Sequence, residues 1–278
     1  MDRSPLHQQV DTLPELVESM IDDLVRHVSE RFPPSLCQDV DQIYISGCGD
    51  SHNAALNAEL AFGQLAALPC RALTAMHFGR YLAPYLPLSN SHNLVLGVSA
   101  SGQVSRTIET LDLARQAGAT TVAVTGSQTS PLAGVGELIL QTVVPPLPDE
   151  LSGLIVPGAR SYIASQLALY ILAIHLGQMR EHLNHKQAND LRRELAATAD
   201  QMDGTITACD SVAAQAAHAW QDAQAFVFCG SGPNYGTAMF SAAKLLEASG
   251  DTAVSQDMEE WAHLEYFARE QKTPTFLI

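Results

Sequence analysis

The sequence predicts an α/β protein in which parallel sheets are covered by helices and two similar units follow one another. Two observations support this fold class: short apolar runs alternate with helical patterns, and a motif of strand, glycine-rich turn and helix occurs twice. The 278 residues suffice for two domains of ordinary size. We divide them into an N-terminal helical segment (1–40), a first domain with trailing linker helices (41–200) and the start of a second domain (201–278).

Four short apolar runs predict the strands of the first domain. Their hydrophobic residues are continuous rather than alternating, which is typical of strands buried on both faces. The runs are Gln42–Ser46, Asn93–Ser99, Thr121–Thr125 and Glu137–Thr142. Amphipathic segments separate them, and one of these, Arg106–Gly118, ends at a glycine that suits the C-terminus of a helix.

The segment from about Pro157 to His218 has helical patterning and contains no predicted strand. Its stretch RSYIASQLALYILAIHLGQM is apolar on nearly all sides, so we expect this helix to be buried between the domains. Three further runs predict strands of the second domain: Ala225–Gly230, Thr252–Gln256 and Thr273–Ile278. Because an open sheet that stops there would leave apolar faces uncovered, we expect this domain to be incomplete at its C-terminus.

The repeated motif contains a glycine-rich turn in each domain. YISGCGDSHNAA and VFCGSGPNYGTA align with an offset of 183 residues, from Gly47 to Gly230. Each begins like the dinucleotide fingerprint G-x-G-x-x-G, but His52 and Tyr235 occupy the position of its third glycine. The first copy also lacks an acidic residue about twenty residues downstream. We therefore expect no NAD, and the sequence indicates no other cofactor and no metal.

The charge balance and the cysteines restrict the partners and the compartment. A formal net charge of −15 argues against nucleic acid and against an anionic membrane surface, both of which select a basic face. The five cysteines are scattered without a C-x-x-C pair, which favours a reducing compartment over a disulfide framework. The N-terminus has no apolar core of a signal peptide. We expect a soluble cytoplasmic protein that would hold an anion through backbone amides.

The stretch VSASGQVSRTIETL is the first candidate binding site. The predicted strand ends near Ser99, Gly102 permits a tight turn, and a helix begins by Thr107. Hydroxyl groups, closely approaching backbone N–H groups and the positive end of the helix dipole together could hold a phosphate with few cations. Ser101 and Ser105 add further hydroxyls. The alternative is an ordinary helix N-cap, since serine and threonine begin helices in many proteins.

A second constellation could transfer protons. Lys244 and Glu247 are three residues apart, and so are Glu260 and His263, which places each pair on one helix face. A carboxylate, an ammonium and an imidazole that converge on a cleft can move a proton next to a carbonyl. The alternative is a surface ion pair and a structural histidine, and the spacing alone favours that alternative.

Together these residues resemble the SIS (sugar isomerase) domain family. The closest resemblance is to its double-domain branch, which includes the isomerase half of glucosamine-6-phosphate synthase and the fructosamine-6-phosphate deglycases. GCGDS stands where that branch has Gly-Cys-Gly-Thr-Ser, and SASGQV stands where it has Ser-Gln-Ser-Gly-Glu-Thr. The branch's Lys-Leu-x-Glu helix aligns with residues 244–247, and its histidine, sixteen residues after the glutamate, aligns with His263. The resemblance covers nearly the whole chain from about Ile43.

The resemblance implies two αβα sandwiches with parallel, flavodoxin-like sheets. It implies an isomerase or deglycase that acts on an amino-sugar or ketosamine 6-phosphate through an enediol or enolamine. In that reading Glu247 carries the proton between C1 and C2, Lys244 lies near the substrate oxygens, and His263 helps to open the sugar ring. Since this histidine often comes from a neighbouring subunit, a homodimer with a shared active site is implied. The implied substrate-binding residues are Ser51, Ser99, Ala100, Ser101, Gly102, Gln103, Val104, Pro157 and Ala159, with Gly49, Asp50 and Glu260 as further candidates.

Several departures from the family pattern leave the substrate open. Ala100 and Val104 replace a glutamine and a threonine that contact the ligand, and Gln103 replaces a glutamate. We expect no glutaminase domain, because only about forty residues precede the first strand. The competing function is a sugar-phosphate sensor fused to a DNA-binding helix-turn-helix. The acidic residues 1–40, in which the prolines of FPPS should prevent a third helix, disfavour it.

Overall fold

The computed structural model describes residues 4–86, 92–146, 157–268 and 272–278. It contains two open parallel sheets, one of five strands in the order β2-β1-β3-β4-β5 and one of three in the order β7-β6-β8. The strands are β1 Gln42–Gly47, β2 Cys70–Thr74, β3 Asn93–Val98, β4 Thr120–Thr125, β5 Leu138–Gln141, β6 Phe226–Gly230, β7 Ala253–Asp257 and β8 Thr275–Leu277. The predicted α/β class with parallel sheets is therefore confirmed.

All seven predicted strands are present, with ends that differ by at most two residues, and one strand was missed. The missed strand, β2, lies at the edge of the first sheet and pairs with β1 alone. Only Ala72 of this strand is fully buried, and its neighbour Arg71 is exposed. An edge strand of this kind has no continuous apolar run, and the pattern that revealed the central strands is absent from it.

Eleven α-helices are present in the described ranges. They are α1 Pro5–Asp11, α2 Leu13–Arg31, α3 Pro34–Asp39, α4 Asp50–Ala66, α5 Ala75–His77, α6 Ser105–Gln116, α7 Pro131–Val135, α8 Arg160–Met179, α9 His185–Ala219, α10 Pro233–Ser249 and α11 Met258–Leu264. The expectation that FPPS prevents a third helix was wrong. Pro34 is the first residue of α3, where proline is tolerated because its missing N–H would have no helical partner.

The apolar helix α8 belongs mainly to the core of the first unit. It packs against α4 and α2, and α2 contributes a buried stripe that includes Leu16, Met20 and Leu24. Within the described residues α8 alone is long and apolar enough to cross a membrane, but 72% of that segment is buried inside the protein. We expected α8 to lie between the domains. Its N-terminal end does contact the second unit, because Tyr162 stacks on Phe240 of α10.

The two copies of the repeated motif have the same order of elements at the same spacing along the sequence. The bounds of α4 and β2 recur 183 residues later as the bounds of α10 and β7, and the last residue of β1, Gly47, recurs as the last residue of β6, Gly230. Gly49 and Gly232 are the N-caps of α4 and α10, with φ of 55° and 57°, a region that disfavours residues with a Cβ. The predicted domain boundaries stay a prediction, and α9 runs without interruption across position 200.

Helices α4 and α10 lie in close contact and join the two units. A Cβ on Gly236 would lie 1.8 Å from Asn57 Oδ1 and 2.6 Å from the carbonyl oxygen of Asn53, so only glycine fits this crossing. Asn57 Nδ2 donates to Tyr162 Oη and to Thr237 Oγ1, each at 3.0 Å. These contacts fix α10 on α4 and determine which side chains of the second unit reach the loops of the first.

Candidate active site

Two loops of the first unit meet at the carboxyl edge of its sheet. Strands β1 and β3 are neighbours, and their last residues, Gly47 and Val98, are paired in register. The loop after each strand leads into a helix, α4 or α6, and the Oγ1 of Thr107 lies 3.9 Å from Cys48 Sγ, which links the two loops. This edge of an open parallel sheet is where ligands of such folds bind.

The loop between β3 and α6 is a tight turn held by its own backbone. Gly102 has φ of 64°, and a Cβ there would lie 2.2 Å from Ser130 Oγ, so the turn requires glycine. Its N–H donates to the carbonyl oxygen of Ser99 at 3.0 Å and to the Oγ at 3.2 Å. Ser99 is buried, whereas Ser101 and Gln103 are exposed. The carbonyl oxygen of Ala100 accepts from Gly126 N–H at 3.0 Å, which braces the turn against the next loop.

The N-terminus of α6 has no side-chain cap. Its N-cap residue is Val104, which is half-exposed and has no hydrogen-bonding group, and the helix begins at Ser105 rather than at Thr107. The alternative of an ordinary serine or threonine N-cap is therefore not what the structure contains. The N–H of Thr107 donates to the carbonyl oxygen of Val104 at 3.0 Å. The N–H groups of Ser105 and Arg106 have no capping side chain, so they are available to an anion together with the exposed hydroxyls of Ser101 and Ser105.

The loop between β1 and α4 is equally tight and presents a carboxylate. A Cβ on Gly47 would lie 2.9 Å from the Cβ of Ser51, and Gly49 forms the N-cap. Asp50 is the first residue of α4, and Ser51 beside it is partly buried. The sequence grouped these residues as possible ligand contacts but did not reveal where the Asp50 side chain points.

Lys244 of α10 joins the two units at this carboxylate. Its Nζ donates to Asp50 Oδ2 at 2.7 Å and to Glu247 Oε2 at 2.5 Å, and it lies 5.1 Å from the centre of the Phe240 ring. The Lys244 side chain is 10% exposed, compared with 26% for Asp50 and 46% for Glu247. The pair is thus only partly solvated, because the Lys244 ammonium is buried between two carboxylates while the Glu247 side chain is exposed.

Burial and charge act in opposite directions on Asp50. Removal from water raises the pKa of its carboxyl group, while the hydrogen bond and the charge of Lys244 lower it and the charge of Glu247 raises it further. The net direction is upward. Two carboxylates and one ammonium give the cluster a formal charge of −1 when all three groups are ionised.

His263 and Glu260 make no hydrogen bond to this cluster within the described residues. Both are on α11, whose N-terminus is capped by Asp257, and both are exposed. The His263 ring lies 3.1 Å from Glu259 Oε1 on its own helix, and its side chain is 69% exposed. Within the described part of the chain, the structure therefore makes no hydrogen bond between His263 and the Asp50–Lys244–Glu247 cluster.

The predicted residues Pro157 and Ala159 lie in the segment that leads into α8. A Cβ on Gly158 would lie 3.9 Å from Asp50 Oδ2, which places this segment beside the cluster. Ala159 is buried, and its N–H donates to the side-chain oxygen of Gln9 at 2.5 Å. The same oxygen accepts from Arg160 N–H at 3.1 Å, so α1 caps the N-terminus of α8. Sequence reasoning missed Gln9, because nothing in a pattern connects residues 150 positions apart.

The side chains that hold α10 in place were also missed. The rings of Tyr162 and Phe240 stack at 3.7 Å between centres with planes 6° apart, and Phe240 in turn lies under Lys244. Burial raises the pKa of Tyr162 to about 12 and so keeps its hydroxyl protonated. Within the described residues, no group of three or more His, Cys, Asp or Glu side chains is arranged to hold a metal ion.

Comparison with known proteins identifies the family. A model of the SIS domain matches residues 37–176, just over half of the chain. Glutamine–fructose-6-phosphate aminotransferase [isomerizing] of Gloeobacter violaceus is 29% identical over 247 residues, which are 88% of this chain and 38% of the relative. This chain therefore spans less than two fifths of the length of that relative.

Solved structures share the fold. The C-terminal domain of glucosamine-fructose-6-phosphate aminotransferase from Francisella tularensis superimposes with a TM-score of 0.85 at 20% identity, over 99% of this chain and 75% of that one. Glucosamine-6-phosphate deaminase from Thermotoga maritima gives a TM-score of 0.71 at 20% identity, over 96% of this chain and 76% of that one. The resemblance inferred from the glycine turns and the Lys-Leu-x-Glu helix is thus confirmed, and the chain belongs to the SIS domain family.

Proposed function

We propose that this chain binds an amino-sugar or ketosamine 6-phosphate and moves a proton between C1 and C2, as an aldose–ketose isomerase or as a deglycase that also releases an amine. The observation that carries the proposal is the buried Lys244, held between Glu247 and Asp50, the first residue of α4. The loop before α4 contacts α6, whose N-terminus has no side-chain cap. The proteins it is similar to include a glutamine–fructose-6-phosphate aminotransferase and a glucosamine-6-phosphate deaminase.

The phosphate would bind at the turn before α6. The protein carries a net charge of −15, so an anion needs a site built from backbone N–H groups rather than from a basic surface. The uncapped first turn of α6 and the exposed Ser101 and Ser105 hydroxyls meet that need. The departures at Ala100, Gln103 and Val104 leave the backbone of the turn to do most of the binding.

Glu247 would be the base. Its carboxylate is the most exposed member of the cluster, so it can reach a substrate carbon, and Lys244 orients it through a 2.5 Å hydrogen bond. The carboxylate would take the proton from one of the two carbons and return it to the other, with an enediol or enolamine between the steps. Lys244 would place positive charge beside the oxygen on which negative charge develops.

His263 would complete the site from a second copy of the chain. Its exposed position on α11, where its ring contacts Glu259 of the same helix, supports ring opening by a histidine of a neighbouring subunit and hence a homodimer. We place the protein in the cytoplasm, on the evidence of its cysteine usage and of relatives that are metabolic enzymes.

Replacement of the base tests the proposal. Glu247→Gln keeps the shape of the side chain but cannot accept the proton, so turnover should fall by about 100-fold or more, while sugar-phosphate binding persists. Glu194→Gln, an exposed position on α9, removes the same charge and should leave turnover unchanged. Full activity of Glu247→Gln would show that another group is the base.

A non-catalytic sugar-phosphate sensor is the second candidate. It is favoured because His263 makes no hydrogen bond to the cluster in the described ranges, and a binder needs no such contact. Thermal unfolding with fructose 6-phosphate and glucosamine 6-phosphate separates the two functions. A ligand at a hundred times its dissociation constant stabilises a protein by about 2.7 kcal/mol. A shift without turnover in the wild-type chain would favour the sensor.

A further inference from the structure

Asp50 is the feature of the cluster that the proposed reaction does not require. The branch that this chain resembles has threonine at the position of Asp50, so the second carboxylate is a property of this sequence. Lys244 already has a partner in Glu247, three residues along the same helix. Asp50 is contributed by the other unit, 194 residues away in sequence, and changes the charge of the cluster from 0 to −1.

A net negative cluster is unfavourable for the reaction of a sugar phosphate that carries no positive charge near C1 or C2. Proton abstraction places negative charge on the substrate oxygens, and an extra carboxylate nearby raises the energy of that state. A substrate that carries its own positive charge removes this penalty. The charge of the cluster therefore favours a substrate with a protonated nitrogen near C1 or C2.

The geometry leaves Asp50 free to make such a contact. Oδ2 accepts the hydrogen bond from Lys244, whereas Oδ1 accepts none from the described residues. The side chain is 26% exposed, and the neighbouring Gly158 has no side chain to cover it. One carboxylate oxygen therefore holds the lysine, and the other has no hydrogen-bond donor among the described residues of this partly exposed side chain.

We propose that Asp50 is a specificity-determining residue that provides the counter-charge for the protonated nitrogen of an amino-sugar phosphate and so selects it over the hydroxyl analogue. The inference rests on the proposed function, because it places the sugar against the Asp50–Lys244–Glu247 cluster. It assigns to Asp50 no proton transfer and no bond to the substrate other than a charge-assisted hydrogen bond.

The test is a comparison of two ligands by isothermal titration calorimetry. Glucosamine 6-phosphate and glucose 6-phosphate differ only in an amine or a hydroxyl at C2. The wild-type chain should bind the amine about tenfold more tightly or better, the usual size of a charge-assisted hydrogen bond. Asp50→Asn should lose most of that preference and keep its affinity for glucose 6-phosphate. Asp200→Asn, an exposed carboxylate of α9, removes the same charge and should keep the preference.

The outcomes separate the two proposals. Equal affinity of the wild-type chain for both ligands, or an undiminished preference in Asp50→Asn, overturns the inference and leaves the proposed function standing. No binding of either ligand overturns the proposed function and the inference with it. If circular dichroism shows that Asp50→Asn does not fold, the wild-type preference is measured against pH. It should vanish as the ligand's amine loses its proton, and a preference independent of pH overturns the inference.

Discussion

The crossing of α4 and α10 predicts that Gly236→Ala damages both stability and the site. A Cβ at this position would lie 1.8 Å from Asn57 Oδ1 and 2.6 Å from a backbone oxygen of α4. Asn57 cannot swing aside without losing its hydrogen bonds to Tyr162 and Thr237, and the backbone oxygen cannot move independently of its helix. The two helices must therefore separate by roughly 1 Å or more to restore ordinary contact distances.

That separation has a cost in energy and a consequence at the cluster. Overpacking of a well-packed interface costs about 1–3 kcal/mol. The Lys244–Asp50 hydrogen bond is 2.7 Å long, so an added ångström takes it beyond hydrogen-bonding distance. We expect Gly236→Ala to unfold at lower urea concentration than the wild type and to bind sugar phosphate more weakly.

Gly204→Ala is the matched control. Gly204 is in the interior of α9, and a Cβ there meets nothing within 4 Å. Both substitutions gain the higher helix propensity of alanine, worth up to about 1 kcal/mol, so the difference between the two variants isolates the packing cost. Urea unfolding followed by circular dichroism measures it. Equal stability of the two variants would refute the close packing of α4 and α10.

Three further changes have expected outcomes. Gln9→Ala leaves two buried N–H groups of α8 without an acceptor and should cost about 1–3 kcal/mol in urea unfolding, whereas Gln64→Ala, at an exposed site, should cost little. Burial lowers the pKa of His52, whose Nδ1 has no hydrogen-bond partner in the part of the chain that the structure describes. The contribution of the neutral ring to stability is therefore lost as pH falls from 6.5 through its folded-state pKa. His52→Phe should flatten the stability profile in that window, and an unchanged slope would contradict this. Val104→Thr supplies α6 with a capping side chain and should raise the melting temperature through about 1 kcal/mol of stabilisation; no rise would argue against the N-cap position of Val104.

The central architecture could be predicted because its signals are local. Continuous apolar runs identified β1, β3 and β4, and two glycine turns at a fixed offset identified the repeat. The edge strand β2 was not predicted, because exposed positions, one of them the charged Arg71, interrupt its apolar residues. The N-cap residue of α6 was not predicted either. Its hydroxyl-rich sequence suggested a serine or threonine at that position, whereas the backbone places Val104 there.

The candidate site could be predicted only where its members share a helix. Lys244 and Glu247 are one turn apart, so helical spacing paired them. Whether that pair was buried, and that Asp50 was its third member, depended on the packing of α10 on α4. Gln9 at the N-terminus of α8 is a similar case, because a contact between distant segments is fixed by tertiary structure rather than by any local pattern.

The 183-residue repeat gives the molecule two equivalent positions for every residue of the cluster, yet the cluster occurs once. The counterpart of Asp50 is Pro233, and the counterparts of Lys244 and Glu247 are Ala61 and Gln64. The equivalent positions therefore have neither a carboxylate at the glycine turn nor an ammonium on the helix. A duplicated unit has thus become an asymmetric pair, in which one copy supplies the turn and the other supplies the ionisable helix, and neither copy alone carries all the charges of a site.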